Sequence, residues 1–156
     1  MSVACHNPRM GLLAPQDQER LREAFDEMTR PVRLRFFTQT IGCETCAQTK
    51  QILDELPPLS DKISVEELNA VLERDSAAQY GFDRAPAIAV LGQDGDGQWI
   101  DSRIRFLGAP SGYEFVALVQ ALLLVGGRES SLNAETRQRL AAVDQPVALQ
   151  VFTTPT

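Results

Sequence analysis

The chain has 156 residues, 44% of them hydrophobic and 23% charged, so it can bury the core of one domain and is too apolar for a disordered chain. A net charge of −6 excludes a nucleic-acid backbone as partner, which needs clustered Lys and Arg, and three cysteines do not make a disulfide framework. The start, MSVACHNPRM, lacks the apolar core of a signal peptide, and the most apolar stretch (residues 115–125) is far shorter than the ~20 residues of a membrane span. No membrane partner follows, and the cytoplasm is the default compartment.

Residues 1–9 read as a disordered tail that holds Cys5 and His6. Residues 14–28 place Leu21, Phe25 and Met28 at helical spacing, with Pro15 near the start. Thr29-Arg30-Pro31 ends that helix, and residues 32–37 alternate as a strand with one buried face. Cys43-Glu44-Thr45-Cys46 follows, and residues 45–56 fit a helix stopped by Pro57-Pro58. A short strand over 62–68 leads to a helix over 70–80 with Gly81 as its C-cap.

Residues 87–91 form a second strong strand. The run 92–98, dense in Gly and Asp, predicts a hairpin; it lacks the spacing and bidentate Glu of a calcium loop. In the return strand, 102–107, Arg103 and Arg105 alternate with Ile104 and Phe106. Together with Arg33 and Arg35 they read as a solvated sheet face. Ser111 and Glu114 make a capping box for a long helix ending at Gly126-Gly127. A helix over 134–143 and a strand over 147–152 complete the pass. From residue 32 the order β-α-β-α-β-β-α gives an α/β chain, a mixed central sheet flanked by helices. It is the thioredoxin order, with an extra N-terminal helix.

An internal repeat runs through this list. Pro31-Val-Arg-Leu-Arg-Phe-Phe-Thr38 matches Pro146-Val-Ala-Leu-Gln-Val-Phe-Thr153 at Pro, Val, Leu, Phe and Thr, with Phe25 in register with Leu140 and Met28 with Val143. A second helix-strand unit therefore begins near residue 134. Its strand, with no sheet partners of its own, is an edge expected to pair with another chain as a dimer, to dock on the first unit, or to be mobile.

The chemistry lies in the C-x-x-C. At a strand-to-helix junction the first sulfur, Cys43, meets helix N–H groups and the macrodipole, which favour the attacking thiolate. The second, Cys46, lies one helical turn on and resolves the mixed disulfide. Glu44 opposes the thiolate by like charge and makes the pair more reducing, and Thr45 is the other modulating position. Two rivals stand beside this reading. The cysteines are inert small hydrophobes, or they bind zinc, which needs two more ligands where only the adjacent Cys5 and His6 remain. The dithiol reading calls for no metal and no organic cofactor, only the redox-active Cys43–Cys46 disulfide.

Met10-Gly-Leu, Pro31-Val-x-Leu, Cys43-x-x-Cys46, Phe82-Asp-Arg-Ala-Pro-Ala87, Phe106-x-Gly-x-Pro110, Gly112-x-Glu-Phe115, Glu135-Thr136 and Val151-Phe-x-Thr-Pro-Thr156 are carried together. In these the chain resembles the glutaredoxin-like protein disulfide oxidoreductases, which have two tandem thioredoxin-fold units, each with a C-x-x-C. The resemblance implies one unit over 10–127 and the opening helix and strand of a second, truncated, over 128–156. It implies a cis Ala85–Pro86 bond opening a strand beside the dithiol, with the Ala85 backbone free to pair with substrate. The substrates it implies are protein or small-molecule disulfides, with a thiol reductase or small thiol as electron donor.

Two departures matter. Glu44-Thr45 stands where a more apolar or aromatic pair is common, and the second dithiol is missing. The family pattern calls for a cysteine directly after Thr156. A cysteine codon is one base from UGA, so one expectation is selenocysteine at that position and a truncated selenoprotein; a deliberate cut there and a genuinely short protein are the alternatives. Two alternatives for the whole chain stay open on sequence, a redox-inert interaction or assembly module and an iron–sulfur-binding glutaredoxin-like protein.

Overall fold

The fold is described from a computed structural model over residues 11–147. The expectations for the tail, Cys5, His6 and Met10, and for the last strand, its dimer edge and Thr156, lie outside the described residues, Val147 excepted.

Helix α1 (Pro15–Asp26) runs into β1 (Val32–Thr38), and α2 (Cys46–Asp54) is followed by a 3-10 turn at Pro57–Leu59. Strand β2 (Ile63–Asn69), helix α3 (Arg74–Gln79) and the hairpin β3 (Ala87–Gln93) and β4 (Trp99–Leu107) come next, then α4 (Tyr113–Val125) and α5 (Ala134–Ala141). The sheet order is β2-β1-β3-β4. Strand β1 lies parallel to β2 and antiparallel to β3, which is antiparallel to β4, so the sheet is mixed as the element order requires.

Alternation along β1 sends Val32, Leu34 and Phe36 to one face, where they join Ile88 and Val90 of β3. Phe25 beside Met28, Leu53 of α2, and Leu118 and Leu122 of α4 close over them. Each such side chain contributes about 1.5–3 kcal/mol on burial. Packing here is tight enough to favour glycine, since a Cβ on Gly126 would lie 2.9 Å from the Leu122 carbonyl oxygen and 2.8 Å from Met28 Cγ.

The other face is only partly covered. Phe37, Ala87, Ala89 and Leu91 meet Ala77 of α3 and Phe82. The arginines on it are not the solvated row that alternation predicts. Arg35 donates to Glu66 Oε2 at 2.7 Å and to Tyr80 Oη at 2.6 Å, and the Arg33 guanidinium lies 4.1 Å over the Trp99 ring. Arg105 donates to both Asp101 oxygens and stacks 5.0 Å from the Tyr80 ring. Short α3 leaves apolar sheet surface bare, and arginine stems cover it while their heads find partners. Arg103 alone is exposed, at φ 64°, in a bulge of β4 opposite Ala89–Leu91 of β3.

Two element starts move, one expected cap forms and one does not. Helix α3 starts at Arg74 because the Asn69 side chain accepts from the N–H groups of Val71 and Leu72 and holds 69–72 in a turn. Gly81 does cap it, at φ 77°, with Phe82 N–H donating to Ala77 C=O and Gly81 N–H to Ala78 C=O. Strand β4 starts at Trp99 because the hairpin turn is tight, Asp94 Oδ1 accepting from the N–H groups of Asp96 and Gln98. The Ser111–Glu114 capping box does not form. Gly112, at φ 57°, is the N-cap of α4 and no side chain caps that helix.

Candidate functional site

Strand β1 leaves the core at Thr38, and a loop carries the chain to the dithiol. Gly42 turns it at φ 73°, and the Gln39 side chain donates to the Ile41 and Gly42 carbonyls at 3.0 and 3.3 Å. Cys43 and Cys46 are joined as a disulfide, with Cα atoms 5.5 Å apart. The two cysteines differ in access. Cys43 is half-buried in the loop, whereas Cys46 is 5% exposed.

Helix α2 begins at Cys46 itself, so the second sulfur sits in the first turn and not one turn inside. Thr45, the N-cap position, has φ −105° and ψ 0°, which is not helical. Its carbonyl accepts from both the N–H and the hydroxyl of buried Thr49, at 2.9 and 2.8 Å. The N–H groups at the start of α2 are still the free donors of a helix end, and they point toward the dithiol side. Glu44 and Thr45 are exposed, and among the described residues Glu44 has no ion-pair partner.

Ala85–Pro86 is a cis peptide bond, with Pro86 buried and Ala85 half-buried. The register puts it at the dithiol end of the sheet. Ala87 pairs with Phe37, the last residue but one of β1, so Pro86 lies where the dithiol loop departs. Gly108 N–H donates to Pro86 C=O at 3.0 Å, which fixes that carbonyl. Among the described residues no hydrogen bond engages the Ala85 backbone.

Both cysteines line a cavity of about 580 Å³ together with Lys50, Glu67 and Glu73. Lys50 donates to Glu67 Oε2 at 2.6 Å and to Asp54 Oδ1 at 3.3 Å. The hydrogen bond to Glu67 holds the Lys50 ammonium above its ordinary range. Sequence reading missed this pair. Its one local signal is spacing, since Lys50 stands four residues after Cys46 and therefore one turn along the same helix face. Among the described residues no three His, Cys, Asp or Glu side chains gather as a metal site, and no helix is long and apolar enough to cross a membrane.

No family model matches the chain. It is 34% identical over 132 residues to the alkyl hydroperoxide reductase AhpF of Xanthomonas campestris pv. phaseoli, covering 81% of this chain and 21% of that protein. It is 33% identical over 81 residues to a "Probable Thioredoxin" of Methanothermobacter thermautotrophicus, covering 51% of this chain and 82% of the relative. Among solved structures, the NTD_N/C domain of the Enterococcus faecalis alkylhydroperoxide reductase AhpF superposes with TM-score 0.73 at 26% identity, over 85% of this chain and 62% of that one. A protein disulfide oxidoreductase from Aeropyrum pernix K1 shares the fold, with TM-score 0.67 at 24% identity over 83% of this chain and 54% of that one. The chain spans about a fifth of the length of the alkyl hydroperoxide reductase it matches. With a mixed sheet, a C-x-x-C disulfide at the β1–α2 junction and a thioredoxin relative matched over most of its length, it belongs to the thioredoxin-like protein disulfide oxidoreductase family.

Proposed function

We propose that Cys43 is the attacking sulfur and Cys46 the resolving one. The observation that carries this is their unequal access, Cys43 half-buried in the loop against Cys46 at 5% exposure. The Cys43 thiolate attacks a substrate disulfide, bonds one substrate sulfur and expels the other as a thiolate, which takes up a proton. Deprotonated Cys46 then attacks the Cys43 sulfur, closes Cys43–Cys46 and releases the second substrate thiol. Two electrons pass from the enzyme dithiol to the substrate disulfide, and the protons of Cys43 and Cys46 end on the two product thiols.

The Ala85 backbone, without a hydrogen-bond partner among the described residues, pairs with the extended backbone that flanks the substrate cystine, and Pro86 sets its direction. Substrates are protein or small-molecule disulfides, and a thiol reductase or small thiol returns the electrons. Cys43–Cys46 alone carries those electrons, with no metal or organic cofactor. The compartment is the cytoplasm. Residues 10–127 form the working unit, and 128–156 open a second one, which is supported by α5 having no buried residue.

Insulin reduction with a thiol donor tests this reading. Turnover is expected for the wild type and its loss in Cys43→Ser. A Cys43→Ser variant as active as the wild type would overturn it, and a wild type without turnover would leave a redox-inert binding module.

A further inference from the structure

We propose that the Lys50–Glu67 ion pair is a positioning pair that sets how readily the Cys43–Cys46 dithiol is oxidised. The inference rests on the dithiol being the redox site and adds the charges that tune it.

Three observations place the pair. Lys50 lies on α2 four residues after Cys46, so the two share a helix face with Cβ atoms about 5–6 Å apart. Glu67 reaches Lys50 from β2, whose register pairs Glu67 with Phe36 of β1, two residues before the end of that strand at Thr38. Both side chains line the same cavity of about 580 Å³ as the two sulfurs. The Lys50 and Glu67 side chains are 48% and 43% exposed, so water screens part of their charge, but both stand on the cavity wall beside the sulfurs, of which Cys46 is only 5% exposed.

The charges that face the dithiol come from three elements. Helix α2 supplies Lys50, β2 supplies Glu67, and Glu73 stands ahead of α3, while Asp54 lies outside the cavity and reaches Lys50 at 3.3 Å. Glu44 sits between the cysteines and is exposed. Lys50 is the one cation in this set. Alone it would stabilise a thiolate on Cys46 or Cys43, but its 2.6 Å bond to Glu67 offsets most of that field. The dithiol thus sits beside a nearly neutral pair, and removing either member unbalances it in a direction fixed by the charge left behind.

The test is equilibrium with glutathione at pH 8 on the full chain. Enzyme disulfide and two glutathione thiols give enzyme dithiol and glutathione disulfide, with two electrons and two protons passing to the enzyme. Lys50→Met removes the cation, so the equilibrium should move toward enzyme disulfide by about threefold or more, and the thiol pKa should rise. Glu67→Gln frees the cation, so both should move by a similar factor the other way. The double variant Lys50→Met/Glu67→Gln should return near the wild type, and Lys50→Arg should keep wild-type behaviour.

A merely structural ion pair would change thermal stability in both single variants and leave the glutathione equilibrium alone. Single variants that leave the equilibrium unmoved, or that move it in the same direction, would overturn the proposal. The measurement needs only that the disulfide form and open, so normal tuning with no insulin turnover would count against the proposed function and not against this pair.

Discussion

Two segments of this chain carry the same sequence pattern and opposite packing. In α1 and the turn after it, Phe25 and Met28 are 0% and 2% exposed. In α5 and its following turn, the matching Leu140 and Val143 are 56% and 53% exposed. Helix α5 is well made locally, with Asn133 Oδ1 accepting from Thr136 N–H at 2.8 Å as an N-cap. The difference is what lies beneath. Helix α1 rests on the sheet that its own strand β1 enters, and among the described residues α5 has no sheet under it. Apolar periodicity therefore reports the capacity to pack, and burial depends on whether a partner layer is there.

The largest expected effect breaks or confirms that contrast. Phe25→Ala should cost about 3–5 kcal/mol in urea unfolding, because it opens a cavity against the sheet face. Leu140→Ala should stay within about 0.5 kcal/mol, as surface substitutions do. Equal costs would mean that α5 is packed as firmly as α1 and that the repeat difference is not one of burial.

Residues of intermediate burial should fall between those limits. Arg105→Ala removes the paired bonds to Asp101 and the contact with the Tyr80 ring, and should cost about 1–2 kcal/mol. The same ion pair gives a pH signature. The Arg105 guanidinium holds the Asp101 carboxyl below its ordinary range, so the folded state binds that proton less readily than the unfolded chain. Its stabilisation is present above about pH 4 and is lost as pH falls through the depressed value. Asp101 is partly exposed, so the loss is modest, and Asp101→Asn should flatten the fall of Tm between about pH 4 and pH 2. A steeper fall in the variant would contradict it.

The smallest effect concerns Glu44. It is exposed and, unlike Glu67, does not line the dithiol cavity, so its like-charge opposition to a Cys43 thiolate is the more fully screened. Glu44→Gln should lower the thiol pKa by less than Glu67→Gln does. A larger shift from Glu44 would reverse the ranking of screened and cavity charges, and a rise in pKa would refute the like-charge argument.

Most of the fold was legible because each strand carried a clean pattern. Residues 32–37 alternate, 87–91 are continuously apolar as a strand buried on both faces should be, and Gly81 marks its helix end. The capping box failed because Gly112, free to adopt φ 57°, took the N-cap position instead of Ser111. The arginine layer was misread because alternation gives the face a residue points to and not what covers that face. The site was legible in part. Cys43, Cys46, Ala85 and Pro86 stand in short motifs, whereas Glu67 meets Lys50 only once β2 is in register beside β1. Spacing from Cys46 marks Lys50 alone and gives no sign of its partner.

Trapping of substrates by single cysteine variants measures the division of labour between the two sulfurs most directly. Reduced Cys46→Ser, mixed with disulfide-bearing protein substrate, should accumulate a thiol-reversible mixed disulfide through Cys43, and Cys43→Ser should accumulate none. Equal trapping by the two variants, or trapping by Cys43→Ser alone, would contradict Cys43 as the attacking sulfur.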